Sequence, residues 1–212
     1  MTRLALPVLY AIVDPLDTDR SPIDLAAALL AGGARLLQLR LKAAPARQLL
    51  EVARAVHPMA RQAGALLIVN DRPDVARAAG ADGVHLGQDD LPVAAARAVL
   101  GPGGIVGVST HSVDQARAAA AAGADYLGVG PVFETTSKVG ALAARGLELV
   151  RAVRAAVTPP LVAIGGITPG TAPEVRAAGA DAVAMIAALV RAPDVAAAVR
   201  ETLARLAPRA LP

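Results

Sequence analysis

A repeated pattern constrains the fold of this chain most strongly: a small-residue helix end, a glycine and an apolar run. It occurs at 31–39 (AGGARLLQL), 78–86 (AAGADGVHL), 121–129 (AAGADYLGV) and 177–185 (AAGADAVAM). The glycine fits the position after a helix where left-handed backbone is favoured, and the apolar run is typical of a buried strand. The copies lie roughly forty to sixty residues apart, which is about two helix–strand units each. The repeat therefore predicts a chain of alternating helices and strands.

Apolar runs predict eight strands, and the segments between them carry apolar residues at helical spacings of three and four. The predicted strands are 7–14, 35–41, 65–71, 83–88, 105–110, 126–133, 160–166 and 182–188. Two helix starts are marked by Ser21 before Pro22, and by Ser112 three residues before Gln115.

Eight such units in 212 residues predict an α/β protein with a single (β/α)8 TIM barrel as one domain over residues 1–212. Nearly continuous apolar strands that alternate with helices favour a parallel sheet covered by helices. A doubly wound open sheet is the alternative, but no G-x-G-x-x-G sequence follows the first strand.

Composition excludes several classes of function. The net charge is +3, but the arginines are dispersed singly along amphipathic segments, so we expect no nucleic-acid partner. The chain has no cysteine, which excludes disulfides and thiolate chemistry and suits a reducing compartment. The apolar N-terminal run is broken by Pro7 and ends at Asp14, and the run AVAMIAALV is too short to span a bilayer. We expect a soluble, cytoplasmic protein without a membrane partner.

In a barrel of this kind the chemistry lies at the C-terminal ends of the strands. Polar residues are concentrated at these predicted ends, and two of the strands end in Gly165-Gly166 and in Ile186-Ala187. The polar residues are Gln38, Arg40, Lys42, Asn70, Asp71, Gln88, Asp90, Ser109, His111, Thr135, Ser137 and Lys138.

Asp71 and Asp90 follow neighbouring predicted strands and have two interpretations. Each could cap the helix that follows, since Pro73 and Pro92 come shortly after them. Together they could share a magnesium ion, which commonly takes one or two carboxylates plus phosphate oxygens from its substrate. The adjacent Asn70 is the only asparagine of the chain, which favours a role in the same site.

Lysine usage points to phosphate chemistry. Lys42 and Lys138 are the only lysines, against nineteen arginines, and both follow predicted strands. A flexible ammonium group suits phosphate oxygens. In QLRLK (38–42) the polar residues alternate with leucines and share one face, and burying two cations under a helix would be costly, so we place that face inside the barrel rim. With the carboxylates, these cations predict a diphosphate–magnesium site.

The remaining candidates are weaker. Gly165-Gly166 in AIGGITPG lies where many barrels bind a phosphate on backbone N–H groups, although close packing would explain a glycine pair equally well. We interpret His57 and His85 as structural and expect His111 to be satisfied by nearby backbone. No Ser-His-Asp order stands out, and no histidine cluster suggests zinc.

Five segments, in this order and spacing, resemble the thiamine phosphate synthase family over essentially the whole chain: QLRLK, NDRPDVARAAGADGVHLGQDD, GVSTH, GPVFETTSK and AIGGI. The resemblance implies a (β/α)8 barrel with small-molecule substrates. The family joins hydroxymethylpyrimidine diphosphate to a thiazole phosphate, with Mg²⁺ as cofactor, and yields thiamine phosphate and pyrophosphate. A homo-oligomer is compatible with this reading.

The resemblance also implies residue roles, carried over position by position. Asp71 and Asp90 would bind Mg²⁺. The pyrimidine diphosphate would be held by Gln38, Arg40, Lys42, Asn70, Ser109 and Lys138. Of these, Arg40, Lys42, Ser109 and Lys138 are the candidate catalytic residues. The thiazole phosphate would be held by Thr135, Thr136, Ser137, Gly166, Ile186 and Ala187.

The chain departs from the family pattern at Leu41, Ser137 and Ala187, where glutamate, threonine and serine are usual. Ala187 removes a side-chain donor from the thiazole-phosphate site. A sibling group of thiazole tautomerases shares the barrel, but it tends to carry histidine where Pro131 stands and commonly lacks the Asn-Asp pair. A third alternative, a non-catalytic regulator, would predict an incomplete charged rim. The full diphosphate set favours the synthase.

Overall fold

The computed structural model describes residues 4–16, 18–135 and 143–207. Eight parallel strands form a closed barrel in chain order, and the last strand pairs with the first. The strands are β1 Leu9–Val13, β2 Leu36–Leu39, β3 Leu66–Asn70, β4 Gly83–Leu86, β5 Ile105–Thr110, β6 Tyr126–Val129, β7 Leu161–Ala163 and β8 Ala182–Met185. The predicted (β/α)8 barrel is confirmed, and the open sheet is wrong because the pairing of β1 with β8 closes the barrel.

Helices follow the strands and cover the outside of the barrel. They are α1 Pro22–Ala31, α2 Ala46–Gln62, α3 Pro73–Ala79, α4 Val93–Leu100, α5 Val113–Ala121, α6 Gly146–Ala156, α7 Ala172–Ala177, α8 Ala187–Val190 and α9 Val195–Leu206. Among the described residues, no helix combines the length and the apolar character that crossing a bilayer requires.

The glycines of the repeat act as predicted. Gly33, Gly80, Gly123 and Gly179 all have φ between 71° and 111°, a region that side chains with a Cβ rarely adopt. Each turns the chain from the end of a helix into the approach to the next strand. The repeat thus marks real helix ends.

The two predicted helix starts are also present, with one difference. Ser21 accepts a hydrogen bond from the Asp24 N–H, and Ser112 accepts one from the Gln115 N–H. The Gln115 side chain, however, accepts from the backbone N–H of His111 at 2.7 Å. The second cap therefore also fixes the backbone at the end of β5.

Alternate residues of the strands build two separate cores. Leu9, Ala11 and Val13 of β1 point outward and join the large layer between strands and helices. Tyr10 and Ile12 point inward and pack with the residues that fill the barrel. The inward set consists of Tyr10, Ile12, Leu36, Ile68, Tyr126, Val162, Ala182 and Ala184. Since Gln38 follows Leu36 by two residues, it faces the interior, as the alternation predicted.

Each strand lies within its predicted range, but most of them end earlier. One such case is β7, which we predicted to reach residue 166 and which ends at Ala163. Gly165 and Gly166 follow with φ of 107° and 60°, so the backbone leaves the extended conformation there. The residues beyond the strand ends form the rim at which the polar side chains gather.

Candidate active site

A pocket of about 160 Å³ opens at the C-terminal rim of the barrel. Its walls contain residues from all eight strands or the segments that follow them, and most of the predicted site residues are among them. The predicted residues that line it are Gln38, Arg40, Lys42, Asn70, Asp71, Ser109, Thr135 and Ile186. Sequence positions up to 148 residues apart are thereby brought to one cavity by barrel closure. Their roles stay predictions.

Two carboxylates and one ammonium group meet at the edge of this pocket. The Lys42 Nζ lies 2.9 Å from Asp71 Oδ2, and Asp90 lies close enough to both groups for them to influence its ionisation. The Gly87 N–H donates to Asp90 Oδ2 at 2.6 Å. Burial is the main cause that raises the pKa of Asp90; the Gly87 N–H opposes it, the neighbouring Asp71 raises it further, and the charge of Lys42 lowers it.

Neither carboxylate caps a helix. The N-cap residue of α3 is Arg72 and that of α4 is Pro92, and neither helix start has a side-chain capping bond. Asp71 instead adopts a left-handed backbone with φ of 63°, rare for a residue other than glycine, and its N–H donates to the carbonyl of His85 on β4. The capping interpretation is therefore wrong, and the pair has the donor chemistry of a hard-cation site.

Arg40 is held by an acid that the sequence analysis did not single out. Its guanidinium forms an ion pair with Asp14, the residue directly after β1, and both side chains are largely buried. The other Asp14 oxygen accepts from the Leu16 N–H at 3.1 Å. Asp14 follows a strand directly, as several candidate site residues chosen from the sequence do. Its position at a strand end could therefore have identified it as a site residue.

The floor of the pocket is a run of hydrogen-bonded polar side chains inside the barrel. Gln38 Nε2 donates to Tyr10 Oη at 2.9 Å, and the two tyrosine hydroxyls lie 2.9 Å apart. His85 bridges Tyr126 Oη, 3.0 Å from Nδ1, and Ser109 Oγ, 2.8 Å from Nε2. Burial raises the pKa of both tyrosines above the ordinary value, so both phenols are neutral. We assigned His85 to a structural role, and the structure adds it to the pocket lining.

The other rim histidine is satisfied as expected. His111 Nδ1 lies 2.6 Å from the carbonyl oxygen of Gly130, the residue before Pro131. Gln88 donates to the Ser109 carbonyl at 2.6 Å and so ties the β4 loop to β5. Both contacts fix the rim around Ser109.

A second cavity of about 220 Å³ adjoins the first along β7 and β8. Thr135, Gly166, Ile186 and Ala187 line it. A Cβ at Gly166 would lie 2.3 Å from the Glu134 carbonyl oxygen, so glycine is required for this close approach. The candidate residues Thr136, Ser137 and Lys138 lie outside the described residues.

The chain matches known proteins over nearly its whole length. Residues 9–189 match the family model described as thiamine monophosphate synthase. The chain belongs to the thiamine monophosphate synthase family. It is 52% identical to the thiamine-phosphate synthase of Moorella thermoacetica, over 91% of this chain and 92% of that protein. It is 51% identical to the enzyme of the same name from Methanoculleus marisnigri, over 94% and 95% of the two chains.

Solved structures agree with this family membership. The thiamine phosphate pyrophosphorylase of Pyrococcus furiosus superposes with a TM-score of 0.85 at 39% identity, over 93% of this chain and 94% of that one. A structure titled "Native KDPGal structure" superposes with a TM-score of 0.74 at 19% identity, a level that shows the shared barrel alone. The resemblance inferred from the five sequence segments is confirmed.

Within the family, the pocket of this chain has one feature that bears on the tautomerase sibling. Pro131 lines the pocket at the position where that group tends to carry histidine. A proline ring offers no proton donor or acceptor at this point of the wall. The same pocket is lined by the polar side chains of Gln38, Asn70 and Ser109.

Proposed function

We propose that this chain is a thiamine phosphate synthase, a transferase that couples hydroxymethylpyrimidine diphosphate to a thiazole phosphate. The products are thiamine phosphate and pyrophosphate. Curated relatives that bear this name are 52% and 51% identical and match in length. The observation that carries the proposal is the meeting of Asp71, Lys42 and Arg40 at one pocket, with Asp90 beside them at its edge, because a diphosphate leaving group needs cations on its oxygens.

The Asp71 and Asp90 pair is the proposed magnesium site. Two carboxylates are the protein contribution that Mg²⁺ commonly uses, with phosphate oxygens and water completing its shell. When bound there, Mg²⁺ would neutralise charge on the departing pyrophosphate. Asn70, directly before Asp71, adds an amide at the same strand end.

In this proposal the diphosphate is held by residues on and directly after β2 and by Lys138 in the segment after β6. Arg40 is oriented by its ion pair with Asp14, which leaves its remaining N–H groups for phosphate oxygens. Lys42 offers a mobile point charge from a half-exposed position. Lys138 is proposed to act on the same group. Gln38, Asn70 and Ser109 would hold the rest of the pyrimidine diphosphate.

The reaction breaks one bond and forms one. The bond between the pyrimidine methylene carbon and the diphosphate oxygen breaks, and its electron pair leaves with pyrophosphate. The aminopyrimidine ring donates electrons to the methylene cation, and the thiazole nitrogen lone pair then forms the new carbon–nitrogen bond. No proton is removed in either step, so the protein needs to position the reactants and stabilise the leaving group rather than supply a base.

The second cavity is the proposed site of the thiazole phosphate. Gly166, where a side chain would collide with the Glu134 carbonyl oxygen, lines this cavity together with Ile186 and Ala187. Thr135 adds a hydroxyl, and Thr136 and Ser137 complete the proposed set. Because the cavity adjoins the main pocket, a thiazole bound there would face the pyrimidine site.

A direct assay tests the proposal. Purified protein is incubated with both substrates, with and without Mg²⁺, and thiamine phosphate and pyrophosphate are measured by chromatography. We expect equal amounts of the two products, and no product in the presence of a chelator. Isomerisation of a thiazole phosphate without any coupling would identify the chain as a tautomerase instead.

A further inference from the structure

The floor of the pocket is a continuous hydrogen-bonded chain of five side chains that crosses the barrel interior. It runs from Gln38 on β2 through Tyr10 on β1, Tyr126 on β6 and His85 on β4 to Ser109 on β5. Every link is between 2.8 and 3.0 Å long. Both phenols are fully buried and neutral, so each contributes one proton to this row of hydrogen bonds.

Counting protons gives this chain a direction. Gln38 presents its amide N–H₂ to Tyr10, so the Tyr10 oxygen accepts there and its own proton goes to Tyr126. The Tyr126 proton is then available for His85 Nδ1. The reverse direction would point the Tyr10 proton at the Gln38 amide protons, which cannot accept it.

The direction fixes the imidazole. A neutral histidine that accepts at Nδ1 carries its proton on Nε2, and this proton points at Ser109 Oγ. With its oxygen accepting from His85, Ser109 has its own hydroxyl proton available for the pocket. We propose that His85 is a positioning residue, held in the Nε2–H tautomer by Tyr126, which makes Ser109 a hydrogen-bond donor toward the pyrimidine diphosphate.

The packing around the chain is built for this arrangement. The His85 ring stacks on the Tyr126 ring at 5.5 Å between centroids and an angle of 24°. A Cβ at Gly107 would lie 2.0 Å from Tyr126 Cζ, and one at Gly128 would lie 3.1 Å from His85 Cε1. Glycines on β5 and β6 thus leave the space in which the two rings lie.

The tautomer can be read without any substrate. The chain has three histidines, so ¹⁵N spectra of histidine-labelled, full-length protein are simple to assign with His57 and His111 variants. We expect an unprotonated Nδ1 and a protonated Nε2 for His85. Tyr126→Phe removes the donor to Nδ1 and should shift the signals toward a mixture of tautomers.

Tyr10→Phe is the matched control, because it removes an equally buried hydroxyl from the same row of hydrogen bonds. Tyr126 can still donate to His85 in that variant, so the Nε2–H tautomer should persist. A protonated Nδ1 in the wild-type protein, or an equal shift in both variants, would overturn the proposal. Circular dichroism melting of both variants checks that each is folded.

The consequence for Ser109 rests on the proposed function and has its own test. Tyr126→Phe should lower coupling turnover by up to about tenfold, the effect of misorienting one hydrogen bond, with the KM for the thiazole phosphate unchanged. In a Ser109→Ala background the same change should cost nothing more, since the oriented hydroxyl is gone. An equal additional loss in that background would show that Tyr126 does not act through Ser109. A wild-type protein without coupling activity would refute the proposed function and leave the tautomer measurement valid.

Discussion

Lys42 occupies the position next to the carboxylate pair at which we propose that a metal ion binds. Its ammonium group lies 2.9 Å from Asp71 Oδ2. A cation bound between Asp71 and Asp90 must therefore compete with Lys42 for the same oxygen. We predict that Lys42→Met, which keeps the length of the side chain and removes its charge, tightens the binding of Mg²⁺ alone.

The magnitude follows from the exposure of the pair. Two unit charges 2.9 Å apart interact by about 1.4 kcal/mol at the dielectric constant of water. The Lys42 side chain is 52% exposed and that of Asp71 24%, and ion pairs of this kind are typically worth up to about 1 kcal/mol. Loss of that competition should lower the Kd for Mg²⁺ by about fivefold. Binding of the pyrimidine diphosphate should weaken in the same variant, because a phosphate contact is lost.

The affinity for Mg²⁺ is measured by isothermal titration calorimetry of ligand-free protein. The affinity for Mn²⁺ is measured separately by water-proton relaxation. Arg72→Met is the matched control. Arg72 is next to Asp71 in the sequence, but its guanidinium forms an ion pair with Asp74. We expect it to change the metal affinity less than twofold, since its charge does not touch the pair. Weaker metal binding in Lys42→Met, or the same change in both variants, would refute the competition.

Three further predictions concern the rest of the site. Asp71→Asn or Asp90→Asn should weaken Mg²⁺-dependent diphosphate binding while the melting temperature stays within a few degrees; unfolding with unchanged metal dependence would contradict the metal role. Lys138→Ala should lower the rate of thiamine phosphate formation on the order of 10²–10³-fold, and Lys138→Arg should restore it in part, whereas near-normal turnover in Lys138→Ala would remove that residue from the mechanism. Gly166→Ala should raise the KM for the thiazole phosphate, because its Cβ would lie 2.3 Å from a carbonyl oxygen; Gly64→Ala, at a similar φ of 65° with nothing within 4 Å of its Cβ, is the control and should leave that KM unchanged.

The barrel was predictable because each of its units is encoded locally. Gly80 and Gly123 mark helix ends by a backbone conformation that one residue type favours, and the apolar run after each follows within a few residues. Closure required only the count of such units, since each parallel strand needs a crossover to the next and the seven crossovers between eight strands fit the chain. Strand ends were less predictable, because β7 stops where Gly165 turns the chain, although the apolar pattern continues to Ile167.

The polar residues at the rim of the site were also predictable, because the alternation of side chains along a strand is a local pattern. Alternation placed Gln38, Arg40 and Lys42 on one face, and the structure puts all three on the pocket wall. The capping interpretation of Asp71 could be rejected only with coordinates, because proline follows it by two residues as it would follow a cap. The deciding facts are the left-handed φ of Asp71 and the absence of a side-chain cap on α3.

The floor of the pocket required knowledge that no local pattern contains. Tyr10 and Tyr126 are separated by 116 residues, and their hydroxyls meet only when the barrel closes. Each tyrosine taken alone resembles an apolar strand residue, and His85 taken alone resembles a polar residue satisfied by neighbours. The available signal was rarity: these are the only two tyrosines in the chain, and both occupy inward positions of strands. A phenol inside an aliphatic barrel needs a hydrogen-bond partner. Two tyrosines at inward positions are therefore expected to bond to each other. Their further partners are other polar residues at inward positions, Gln38 and His85.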